Sequence, residues 1–134
     1  MIKFQDIQIG DYLQAEYEGK VWDGEVIGLQ KDQQLVQVLT DVQDFWFEPS
    51  HLIPIPLSTK AMLDLNFTPV RDEQGQIKFT KGAFRLVTPD SGDFSHFEMW
   101  YREDRRQHPD VHFIHQLQNQ YLDMTKVHLT KDLV

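Results

Sequence analysis

The sequence predicts an α+β, strand-rich fold in two parts: a small all-β unit over residues 1–57, then an α-β-β-β-β-α unit over 58–134. Three observations predict it. Short alternating or apolar runs rich in Val, Ile and aromatic residues recur through the first part, separated by polar or Gly-containing turns. Pro54 and Pro56 punctuate the chain between the parts, since neither can donate to a strand ladder. The only long stretch with helical periodicity comes near the end, from Val111 to Met124.

In the first part, strands are expected at 11–17, 21–29, 34–40, 45–47 and 51–55. Glu18-Gly19-Lys20 and Lys31-Asp32-Gln33-Gln34 supply the first two turns. Gly24 and Gly28 inside the second run suggest a bulge or a tight bend. Five such strands in under sixty residues suit an SH3-like barrel, because closure removes exposed edges.

Ser58 or Thr59 is an N-cap for a short helix at 60–65, which Asn66 should stop. A four-strand meander follows at 67–71, 76–80, 83–88 and 94–101, with a Gly in each connector. Arg102-Glu103-Asp104-Arg105-Arg106 reads as a charged loop, and Pro109 suits the first position of the last helix. That helix has an apolar half, Val111, Phe113, Ile114, Leu117, Tyr121, Leu122 and Met124. Its polar half is His112, His115, Gln116, Asn119 and Asp123. A short edge strand is expected at 127–129.

Composition narrows the function. The chain has 134 residues, enough for one ordinary domain or two small ones, and its apolar and charged fractions are those of globular proteins. It lacks cysteine, which rules out disulfides, Cys-ligated zinc and thiol catalysis. The N-terminus has no signal-peptide pattern and no apolar run is long enough to span a bilayer, so a cytoplasmic protein without membrane association is expected. Net charge is −8, with −7 of it in residues 1–57, and this disfavours broad affinity for nucleic acid.

Four sets of residues carry chemistry. Tyr17, Trp22, Phe45 and Phe47 offer ring faces that attract a methylammonium or guanidinium group, although such rings also make up the core of a small barrel. His112, His115, Gln116 and Asn119 form a polar stripe suited to a partner, or to hydrogen bonding with neighbouring backbone. Arg102, Arg105 and Arg106, with Phe97, Trp100 and Tyr101 nearby, would serve a nucleic-acid-binding protein. His112 and His115, one turn apart, would serve a metal-dependent enzyme, but the His-Glu-x-x-His arrangement is missing. No Gly-x-Ser-x-Gly, no phosphate-binding glycine loop and no nucleophile beside a histidine occurs. The leading expectation is a non-catalytic module that binds another protein and needs no cofactor or metal.

The order of four segments resembles a known group. They are Asp6-Ile7-Gln8-Ile9-Gly10-Asp11-Tyr12, Leu52-Ile53-Pro54-Ile55-Pro56-Leu57-Ser58, Leu63-Asp64-Leu65-Asn66-Phe67, and His112-Phe113-Ile114-His115-Gln116-Leu117-Gln118-Asn119-Gln120-Tyr121. The layout is similar to uncharacterised Bacteroidetes proteins, many from phages and mobile elements. Those share an Ile-Gly-Asn opening, a Pro-Ile-Pro-Leu-Thr junction and a terminal Tyr-Val-His-Gln-Leu-Gln-Asn helix. Phe113 and Ile114 depart from that Tyr-Val, and the usual Thr-Gly-Glu-Glu does not follow Met124. The resemblance implies a shared fold and supplies no activity. Separately, residues 15–26 resemble the opening hairpin of Tudor-type SH3-like barrels, a likeness of fold alone.

Overall fold

The computed structural model describes residues 2–89, 93–107 and 110–131. It holds two antiparallel five-stranded sheets and two α-helices, a mixed α+β fold that is mostly β. The chain divides into two compact units. The first is Met1–Ile55 with Phe113–Asn119, and the second is Pro56–His112 with Gln120–Val134.

The first unit's sheet is formed by β1 (Tyr12–Tyr17), β2 (Lys20–Gln30), β3 (Leu35–Leu39), β4 (Asp44–Phe47) and β5 (Leu52–Ile53). Their order is β4-β3-β2-β1-β5, with β4 and β5 at the two ends. The first turn is a two-residue hairpin in which Glu18 and Gly19 both have positive φ (52° and 76°). That conformation matches the twist of the strands it joins. The register shifts between Val26 and Gly28, so β2 does carry a bulge. Gly24 serves close packing instead: a Cβ there would lie 2.3 Å from Val38 Cγ1. Strand alternation turns Leu13, Ala15, Val26, Val36, Val38 and Phe47 into one core with Ile2, Ile7 and Leu52.

In the second unit Ser58 caps α1 (Thr59–Asp64) by accepting the Ala61 N–H at 3.0 Å. Asn66, with φ of 66°, ends that helical turn. The sheet then runs β6 (Thr68–Arg71), β7 (Ile77–Lys81), β8 (Phe84–Thr88), β9 (Glu98–Tyr101) and β10 (Asp104–Gln107), each strand paired with the next. The expected charged loop at 102–106 is therefore a hairpin turn and a fifth strand. Edge strands tolerate charge, so charge density alone does not mark a loop. The inward face carries Phe79, Phe84, Leu86 and Met99, all fully buried, and Phe84 packs on Phe67 and Tyr121 at 6.0 and 4.8 Å.

Helix α2 spans Ile114–Thr125. It starts later than the expected Val111, and Pro109 lies outside the described residues. Phe113 N–H is met by the Gln116 side chain at 3.2 Å and Ile114 N–H by Ile55 C=O at 2.8 Å, so the entry into the helix is capped. No strand forms at 127–129.

Candidate functional site

The four aromatic residues singled out in the first unit come together. Tyr17 at the end of β1, Trp22 across the hairpin on β2, and Phe45 and Phe47 on β4 line one cleft of about 230 Å³, with Glu18, Lys20, Thr40 and Val42. Tyr17 and Phe45 stack at 5.0 Å with 27° between ring planes, and Phe47 meets Phe45 edge-on at 6.1 Å. A second cleft of about 490 Å³ shares Tyr17, Glu18, Phe45 and Phe47 and adds Glu16, Glu48, Trp46 and His51. The rings differ in role. Phe47 is only 6% exposed and belongs to the core, whereas Tyr17 is 44% exposed. Trp22 and Phe45 are half-buried. The site is thus a ring-walled depression rimmed by three carboxylates, Glu16, Glu18 and Glu48, against one lysine, Lys20. Such a surface favours a cation with apolar flanks.

The polar stripe of α2 is divided. His112 precedes the helix, is exposed and lies 3.2 Å from Asp110. His115 is 3% exposed and Gln118 4%, both within the first unit. Gln118 accepts the Tyr12 N–H at 2.7 Å and donates to Gly10 C=O at 2.8 Å. Asn119 donates to Asp6 C=O at 3.2 Å and hydrogen-bonds the Asp11 carboxyl. Gln116 is occupied in capping Phe113. Burial pushes the Asp11 carboxyl up to about 7, against the Gln8 N–H and Asn119 that favour its charge. Burial likewise lowers His115, opposed by Asp6. His115 Nδ1 has no hydrogen-bond partner among the described residues. Gln118 and Asp11 were not among the expected site residues. The Gln-Leu-Gln-Asn run was visible, but only the fold reveals which backbone groups it meets.

The three arginines do not share a face. Arg105 points outward from β10 and holds Glu98 at 2.6 Å. Arg106, next along the strand, pairs with Asp123 at 2.8 Å and with Gln120. Arg102, in the turn, lies over the Tyr101 ring at 5.3 Å. Phe97 is buried. Among the described residues no group of three or more His, Asp or Glu side chains is placed to hold a metal ion, and no helix is long and apolar enough to cross a membrane.

No family model matches the chain, and neither the curated proteins nor the solved structures yield a match.

Proposed function

We propose that the protein is a non-catalytic protein-interaction module whose first unit grips a cationic side chain of its partner. The observation that carries this reading is the convergence of Tyr17, Trp22, Phe45 and Phe47 on one cleft beside Glu18, with Glu16 and Glu48 in the adjoining one. Ring faces attract a lysine, arginine or methylammonium group, and the neighbouring carboxylates add long-range attraction without a buried ion pair. An SH3-like barrel of Tudor type is the framework we assign to this unit. Its support is the four-strand meander, the 3-10 turn at Pro49–His51, and the two-residue β5 that returns to pair with β1. A phage or mobile-element setting rests on the sequence resemblance alone.

The test is binding to a peptide library in which one position is Lys, Arg, a methylated form of either, or Gln. The wild-type protein should select cationic members, and Tyr17→Ala/Trp22→Ala should lose that selection while staying folded. Equal binding of Gln and cationic members, or unchanged selection by the folded double variant, would overturn the proposal. Phe47 is left intact because its removal would damage the core.

A further inference from the structure

The outward face of the second unit's sheet carries a motif that is complete on one side and open on the other. Strand register aligns Thr68, Thr80, Arg85, Trp100 and Arg105 in one row across five strands. The Trp100 indole has a guanidinium from each neighbouring strand over its ring, Arg105 at 5.1 Å and Arg85 at 5.2 Å. Arg105 also holds Glu98 Oε1 at 2.6 Å, and Trp100 Nε1 donates to the other carboxylate oxygen at 3.1 Å. With Gln107 also donating, these contacts pull the Glu98 carboxyl down to about 2, so it stays ionised. Indole, guanidinium and carboxylate form a closed set there.

Arg85 makes the same indole contact and, among the described residues, holds no carboxylate. It is half-buried, and no acceptor meets its N–H donors among the described residues. Lys78, exposed, occupies the same face of β7 on the diagonal from Arg85. The outward strand positions therefore set Lys78, Arg85 and Arg105 against Glu98, a local cationic excess in a chain of net charge −8.

We propose that Arg85, braced by Trp100 and flanked by Lys78 and Thr80, is a receptor for a carboxylate, borne by an acidic side chain of a protein partner or by a small dicarboxylate. A planar guanidinium takes a carboxylate through two parallel hydrogen bonds. The indole holds the guanidinium in place, so less side-chain freedom is lost on binding. A ligand of low charge suits a protein whose overall charge repels polyanions. This site is separate from the aromatic cleft and opposite to it in ligand sign.

The arginine Nε–H and tryptophan indole N–H signals of the full chain would be followed by NMR at low salt during titration with succinate, a Glu-containing peptide and inorganic phosphate. Arg85 and Trp100 should shift saturably with both carboxylates while Arg105 stays still. Arg85→Gln should abolish the response, and Arg85→Lys should weaken it roughly tenfold by losing the fork. Glu98→Gln should add a second carboxylate site at Arg105, since it removes the internal occupant. Saturation by only one of the two carboxylates would identify the natural source and uphold the site. Phosphate alone producing the shift, all arginines shifting together, or no second site in a folded Glu98→Gln protein would overturn the proposal.

Discussion

Gln118 spans two backbone groups of Gly10 and Tyr12, accepting the Tyr12 N–H at 2.7 Å and donating to the Gly10 C=O at 2.8 Å. A side-chain amide carries a donor and an acceptor side by side at any pH. Gln118→Leu should therefore cost about 2–3 kcal/mol in urea denaturation, because it removes the side-chain partner of two partly buried backbone groups at once. Gln118→Glu should cost at least as much, since a carboxylate would face the Gly10 oxygen and lie near Asp11. A loss under 1 kcal/mol in either would show that water replaces the amide.

Asp11 and His115 give the first unit a dependence on pH with two opposing arms. Asp11, 2% exposed, binds its proton up to about 7 in the fold but only to 3.8 when unfolded. Between those values the folded state holds the extra proton, so stability falls as pH rises from about 4 to 7, by on the order of 4 kcal/mol. Asp11→Asn should remove that fall and be the more stable protein at pH 8. His115 works the other way. Its folded value is lowered, so its contribution is present above the ordinary imidazole range and lost as pH drops below it. Urea midpoints of Asp11→Asn from pH 5 to 8 should then rise with pH, the reverse of the parent's Asp11 arm.

Gly24 and Gly28 lie four residues apart on β2 and should respond differently to alanine. At Gly24 the new methyl would meet Val38 Cγ1 at 2.3 Å and Leu39 O at 3.1 Å, both held in the packed strand pair. At Gly28 the closest atom, at 2.5 Å, is the Gln37 Oε1, the movable end of a long side chain. Gly24→Ala should cost about 1–3 kcal/mol and Gly28→Ala less than 1, as read by thermal unfolding. Equal costs would mean that β2 shifts as a whole.

The aromatic residues of the cleft should separate into a stability group and a binding group. Phe47→Ala should destabilise by about 3–5 kcal/mol, because it empties a buried volume in the core. Tyr17→Ala should change stability by no more than about 0.5–1 kcal/mol and act on ligand selection. Parallel denaturation and peptide-binding measurements on the two variants check this.

Alternation and turn chemistry made most strands legible, from β1 to β4 and from β6 to β9, each to within a few residues of its observed ends. The cleft aromatics were legible too, since ring residues on both strands of a hairpin and on a nearby strand are brought to one side by the sheet. Two features were not. Strand β10 was hidden because Asp104, Arg105 and Arg106 look like solvated loop residues, and nothing in the local pattern shows that Arg105 meets Glu98 across the hairpin or that Arg106 meets Asp123 on the last helix. The orientation of the helix stripe was hidden for a different reason. Periodicity groups His115, Gln116 and Asn119 by face but carries no information about which backbone groups, such as those of Gly10 and Tyr12, await a side-chain partner.

Residues 113–119 belong to the first unit, yet they follow residue 55 by almost sixty positions of intervening chain. During synthesis the Gly10 and Tyr12 backbone groups must wait for Gln118 to leave the ribosome. Counted from Ile55, where the unit's first segment ends, that delay is on the order of three to thirteen seconds at ordinary translation speeds. Over this interval the newborn sheet is exposed to wrong pairings that the finished molecule never meets. Chaperone dependence should therefore concentrate in the time before Gln118 emerges, and a version permuted to place the helix segment first should need less help.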